Sequence, residues 1–197
     1  MKIYEGVKVA RREDVLQWLG VTNLDNTFEN MRCPKGFKPT LESFKAIASG
    51  SADFSLLMVY GGVGNGKSMC CEATVIAMYD RRFLVKRDRW SDLVRIMKSH
   101  FNGRGLMSYE QYFSSLRGRD RLILDDVGSG STLGAWEWGE LEDIIDYRYE
   151  RRLFTILTTN LDIKQFPERI LSRFRDRSRS RLVFDEAEDQ RPLLEGK

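Results

Sequence analysis

The stretch Phe54-Ser55-Leu56-Leu57-Met58-Val59-Tyr60-Gly61-Gly62-Val63-Gly64-Asn65-Gly66-Lys67-Ser68-Met69 joins an apolar run to a glycine-rich turn. The run is short enough for a buried strand. The segment 69–79 beyond the turn is long enough for a helix and contains neither Pro nor Gly. Strand, turn and helix with G-x-x-x-x-G-K-[ST] across the turn is the pattern of a phosphate-binding loop. Glycines let the backbone curl until several N–H groups point into one concavity, and a helix N-terminus adds its partial positive charge. On this reading Gly62, Val63, Gly64, Asn65, Gly66, Lys67, Ser68 and Met69 cradle the phosphates of ATP. Lys67 reaches the β- and γ-phosphates and the Ser68 hydroxyl binds Mg²⁺. A glycine pattern alone is a weak signal; the strand before it and the helix after it make it specific.

A chain of 197 residues is long enough for one domain with its own core, with room for a short appendage. With 42% hydrophobic and 31% charged residues, the composition is that of a globule rather than a disordered or fibrous chain. No apolar run approaches a membrane span and Met1-Lys2-Ile3-Tyr4-Glu5 does not open a secretory signal, so a cytoplasmic protein without a membrane partner is expected. The three cysteines, Cys33, Cys70 and Cys71, lack metal-ligand spacing, and the adjacent pair reads as small apolar residues of the helix after the turn. His100 is the one histidine, which supports neither a histidine triad nor a zinc site. The net charge of +3 is unevenly spread: basic residues crowd the segments 81–121 and 169–181, acidic ones 120–150 and the end of the chain. That asymmetry fits a nucleic-acid face and a solvated surface equally well.

Helical spacing predicts helices over 12–19, stopped by Gly20, and over 41–48, capped by Thr40 and ended by Gly50. Further helices are expected over 90–98, 109–116, 136–151 and, after Pro167, 168–174. Besides the run before the turn, strands are expected over 82–86, 121–126, 154–160 and 181–184, with a flexible loop over 128–132. Strands alternating with helices predict an α/β sheet covered on both faces. Leu122-Ile123-Leu124 is apolar without alternation, as in a parallel strand buried on both sides.

Binding a nucleotide is not hydrolysing it. The strand ending in Asp125-Asp126 places carboxylates at the end of a neighbouring parallel strand, near the phosphates. Asp125 then holds the Mg²⁺ shell and Asp126 polarises the attacking water. Asn160, after Thr158-Thr159, can donate to the γ-phosphate and accept from that water. Arg173 offers a fixed charge and a fork of donors, suited to a phosphate finger supplied to a neighbouring subunit. A strand-end carboxylate, a strand-terminating Asn and a basic helix face are each common by themselves; it is their joint presence with the loop that suggests hydrolysis.

The order of these motifs resembles the AAA+ ATPases of the DnaC/IstB type. It is carried by the P-loop, Leu124-Asp125-Asp126-Val127-Gly128, Ile144-Ile145-Asp146-Tyr147-Arg148-Tyr149, Thr158-Thr159-Asn160-Leu161 and Ser172-Arg173-Phe174. Asn26-Thr27-Phe28-Glu29-Asn30 is similar to the segment that opens the family's ATPase domain. The resemblance implies an α/β P-loop NTPase fold, an αβα sandwich around a five-stranded, mostly parallel sheet. Residues 27–184 would form the ATPase domain, 1–26 a short segment with a possible partner-binding helix, and 185–197 a loose tail without the helical lid and lid arginine of many AAA+ proteins. It implies ATP and Mg²⁺ as ligands, a DnaB-type replicative helicase and single-stranded DNA as partners, and a homo-oligomer joined through Arg173 in trans. Asp126 stands where the family often has Glu, which implies slow turnover. A transposition helper acting on duplex DNA and a nucleotide-gated adaptor with little hydrolysis are the other readings. For DNA contact, Lys86, Arg87, Arg89 and Arg104 are the candidates. Trp90, Tyr109, Tyr112 and Phe113 would be stacking platforms or core residues of their helices.

Overall fold

A computed structural model describes residues 11–129 and 133–191. Its five strands are β1 (Leu56–Gly61), β2 (Lys86–Arg89), β3 (Arg121–Val127), β4 (Phe154–Thr159) and β5 (Ser180–Asp185). They form one sheet in the order β2-β3-β4-β1-β5, and every neighbouring pair is parallel. Parallel neighbours cannot be joined by tight turns, so helices make the crossovers and cover both faces. These are α1 (Arg12–Trp18), α2 (Lys38–Ser49), α3 (Lys67–Asp80), α4 (Trp90–Phe101), α5 (Tyr109–Arg117), α6 (Ala135–Glu150) and α7 (Glu168–Arg175).

The pleat divides the core in two. Leu57, Val59, Ile123 and Ile156 point into a cluster with Leu16, Phe44 and Val75. Their neighbours Leu56, Met58, Leu122, Leu124 and Leu157 point into a second cluster with Leu93, Leu116, Ile144 and Phe174. Successive side chains on opposite faces, all buried, favour apolar runs without alternation, which β1 and the Leu122–Leu124 part of β3 carry, while β4 interleaves buried threonines with Ile156 and Leu157. The result is the expected αβα sandwich. Among the described residues no helix is long and apolar enough to cross a membrane.

Several local expectations need correction. The second strand is not 82–86 but Lys86–Arg89. Arg82 adopts φ 67° and the Phe83 N–H donates to the Met78 carbonyl, so these residues finish the end of α3 rather than extend. Thr40 does not cap α2: the helix starts after Phe37, which makes no side-chain capping bond, Pro39 lies in the first turn, and Thr40 is buried inside the helix. Residues 130–132 of the expected loop lie outside the described residues.

Because the strand is displaced, Arg87 faces the interior and is not a DNA contact. Its Nε and Nη2 donate to Asp125 Oδ2 at 3.0 and 2.6 Å, and its Nη1 donates to the Gly20 carbonyl at 2.6 Å and lies 3.1 Å from Glu72 Oε1. Glu72 in turn accepts from the Thr22 N–H and hydroxyl, the Asn23 N–H and Asn26 Nδ2. Lys86 rests its ammonium over the Trp18 ring at 4.9 Å, while Arg89 and Arg104 are exposed. Trp90 and Phe113 are core; Tyr109 stacks on Phe113 and is partly buried, as is Tyr112.

A second buried guanidinium, Arg148, fastens α6 to the sheet. It donates to the Thr155 hydroxyl and to the carbonyls of Arg117, Arg119 and Phe154. Burial and the nearby charge of Arg119 draw its pKa down to about 10.

Replacing Arg87 by Met strands the Asp125 and Glu72 charges in a dry site. The expected cost is about 3 kcal/mol or more, seen as a melting temperature lowered by about 10 °C. Adding Glu72→Gln to Arg87→Met should cost less than the sum of the two single changes, because one stranded charge is removed. Thermal melts of the four proteins, followed by circular dichroism, check both statements.

Candidate functional site

The turn between β1 and α3 bends back over the helix N-terminus. Gly64 at φ 72° and Gly66 at φ 101° supply left-handed backbone that a side chain would strain, and Gly66 caps α3. Above this turn, at the carboxyl ends of β1, β3 and β4, opens a cavity of about 590 Å³, of a size for a small ligand. Val63 to Met69 line one side of it, and Asp126, Ser129, Thr158 and Asn160 line another. Such a crevice beyond the strand ends is where open α/β sheets place ligands.

Lys67 is buried within the loop, and its Nζ donates to the carbonyls of Gly61 and Gly62 at 3.0 and 2.6 Å and to Asn65 Oδ1 at 2.9 Å. Burial lowers its pKa, against the opposing pull of Asp185, Asp126 and Asp125. Asn65 Nδ2 is buried beside the cavity without a hydrogen-bond partner among the described residues. A helix N-terminus, a lysine and a donor without a partner fit phosphate oxygens.

The Ser68 hydroxyl donates to Asp125 Oδ1 at 3.2 Å, which brings two oxygen ligands together from α3 and β3. This pair fits a Mg²⁺ that keeps waters and phosphate oxygens as its remaining ligands. Among the described residues no group of three or more His, Cys, Asp or Glu side chains could hold a metal by itself. Asp125 also accepts from Arg87, the Thr158 hydroxyl and the Cys71 thiol, and burial pushes that thiol well up.

Asp126 differs from its neighbour. The β3–β4 register shifts between Leu124 and Val127, and Asp126 takes φ 59°, an uncommon backbone for a residue with a side chain. The shift directs its carboxylate to the cavity, where Asn160 Nδ2 donates to Asp126 Oδ1 at 2.8 Å. Thus the loop residues, Asp125, Asp126 and Asn160 meet at one place. Arg173 does not line the cavity. On α7 its Nε donates to Asp146 Oδ1 at 2.9 Å and its guanidinium lies 4.9 Å from the Tyr149 ring centre, and Asp146 also pairs with Arg169.

Two walls of the cavity escape motif reading. One is the loop of Asn30, Met31, Arg32 and Pro34 leading to Phe37. The other is Gln190 with Arg191, in the segment expected to be a loose tail. Its Gln190 N–H donates to the Gly64 carbonyl at 3.0 Å, and Ala187 is buried. The only sequence signal for the first wall is the family-like segment 26–30; for the second there is none.

No protein-family model matches the sequence, and no curated protein does. Solved structures do match in shape. The DnaC helicase loader superposes with a TM-score of 0.69 over 83% of this chain and 98% of that one, at 19% identity. AMPPCP-bound DnaA from Aquifex aeolicus gives 0.70 over 88% of this chain at 22% identity, and DnaI gives 0.64 over 88% of this chain and 92% of its own at 16% identity. The chain spans about half, 54%, of that DnaA structure. At such identities the likeness is one of fold: this chain shares the α/β architecture of DnaC, DnaI and the corresponding part of DnaA.

Proposed function

We propose that the chain is a Mg²⁺-dependent AAA+ ATPase of the DnaC/IstB type that loads a DnaB-type replicative helicase onto single-stranded DNA, with ATP binding and hydrolysis timing assembly and release. The observation that carries this reading is the meeting of Lys67, Ser68, Asp125, Asp126 and Asn160 at one cavity beyond the ends of parallel strands. The similar structures add support, since they include a helicase loader and a replication initiator, DnaA, bound to AMPPCP and single-stranded DNA.

Each side chain has a role in this scheme. The backbone N–H groups of Gly62 to Met69 hold the phosphates, and Lys67 trades its carbonyl partners for β- and γ-oxygens. Ser68 and Asp125 hold Mg²⁺, which when bound neutralises charge developing on the phosphate oxygens. Asp126 orients the attacking water and takes its proton, while Asn160, fixed on Asp126 Oδ1, bridges water and γ-phosphate. With a side chain one methylene shorter than Glu, Asp126 holds that water less closely, and turnover is slow. Arg173 serves the phosphates of an adjacent copy, and to do so it releases Asp146.

Lys67→Ala should weaken ATP binding by at least about tenfold, because charge-assisted bonds to the phosphates are lost. Asp126→Asn should retain binding, measured by titration with labelled ATP, and lose turnover by about a hundredfold or more. Arg173→Ala should bind ATP as a monomer like the wild type and lose DNA-stimulated turnover by about a thousandfold. ATP turnover is measured for the protein alone, with single strands, with duplex and with a replicative helicase. Stimulation by single strands or helicase supports the loader, and preference for duplex points to the transposition helper. Tight binding without turnover in any arm leaves a nucleotide-gated adaptor. Normal stimulated turnover by the Arg173 variant removes the trans finger.

A further inference from the structure

The segment after β5 is built into the nucleotide cavity from both sides. Asp185, paired in register with Gly61, is buried, and its Oδ1 accepts the Ala187 N–H at 3.0 Å. On the side of the 30–37 loop, a Cβ on Gly36 would fall 2.9 Å from the Glu186 carbonyl carbon and 3.1 Å from the Ala187 nitrogen. On the P-loop side, the Gln190 N–H is bonded to the Gly64 carbonyl, and a Cβ on Gly64 would fall 1.8 Å from Asp189 Oδ1 and 2.6 Å from Arg191 Nε. Residues 186–191 therefore run as a strap from one wall of the cavity to the other, in contact with backbone at each end.

The strap sets a carboxylate and a guanidinium beside a loop suited to anions. Asp189 and Arg191 form a two-bond pair: Nε to Oδ1 and Nη2 to Oδ2, both at 3.1 Å, with the Arg191 N–H also donating to Oδ1 at 3.0 Å. Arg191 lines the cavity and stays largely exposed, so its side chain has room to turn. A polyphosphate in the cavity repels Asp189 and attracts Arg191. An arginine fork suits phosphate oxygens as well as it suits a carboxylate, so the exchange needs only side-chain rotation.

We propose that Arg191 is a phosphate-binding residue of the nucleotide site, supplied in cis by the strap, and that Asp189 holds it back and competes with nucleotide phosphate for it. The proposal rests on the nucleotide reading given above. It makes the two neighbours act with opposite signs, which a strap with a merely structural role does not do.

The test is titration of wild type, Arg191→Ala, Asp189→Ala and the double variant with ATP, ADP and AMP. Arg191→Ala should weaken ATP about fivefold, ADP less and AMP least, in keeping with an exposed, screened charge. Asp189→Ala should tighten ATP about threefold, and the same change should tighten it less in the Arg191→Ala background, where only the direct repulsion between Asp189 and phosphate is relieved. Changes of the same sign in both single variants, or no change in either, overturn the strap proposal while ATP binding by the wild type upholds the site. If the wild type binds none of the three nucleotides, the reading of the site falls and the strap proposal with it.

Discussion

Asp125 is a carboxylate at the centre of the sheet with no solvent around it, and protein donors must do what water would. They come from α3 (Ser68 and Cys71), β2 (Arg87) and β4 (Thr158), so satisfying one charge ties three elements to β3. Arg87 carries the tie further. Through Glu72 and the Gly20 carbonyl it reaches the segment 20–26, which leads from α1 towards the loop that walls the cavity. The position of that wall relative to the P-loop helix is thus held by ion pairs and charge-assisted bonds rather than by apolar packing alone. A buried ion pair contributes little net stability, but it admits few alternative arrangements.

The same network marks the boundary of what could be read from the sequence. Buried parallel strands announce themselves by apolar runs or β-branched residues, and β1, β3 and β4 have one or the other; the P-loop adds a motif that needs glycine at set positions. β2 has the sequence Lys86-Arg87-Asp88-Arg89 and no apolar residue at all. Its inward position is filled by an arginine whose burial depends on carboxylates far along the chain, which no local pattern contains. The more apolar stretch before it, Phe83-Leu84-Val85, looked the better strand, yet Phe83 and Leu84 are exposed beside the end of α3. The strap was illegible for a similar reason. Glu186 to Arg191 has the composition of a solvated tail, and only the close approach of Gly36 and Gly64 reveals a fitted path.

Asp125 and Asp126 were legible as a pair, but their division of labour was not. Regular pleating would put adjacent side chains on opposite faces of the sheet, and one of them would lie away from the cavity among helices. The register shift after Leu124 and the left-handed backbone of Asp126 replace that outcome. Thr158 sits where the two effects meet: its hydroxyl donates to Asp125 Oδ1 and accepts the Asp126 N–H at 2.9 Å. One side chain on β4 therefore holds both the carboxylate assigned to the metal and the peptide bearing the carboxylate assigned to water. Asn160, two residues further on, closes the arrangement by bonding Asp126 itself. Strain at a residue with φ 59° is retained because two groups at the end of the neighbouring strand, the Thr158 hydroxyl and Asn160 Nδ2, bond it, and relaxing the backbone would break both. In this geometry the two roles are inseparable: a shift of β4 that moved Asn160 would also move the donor that completes the shell of Asp125.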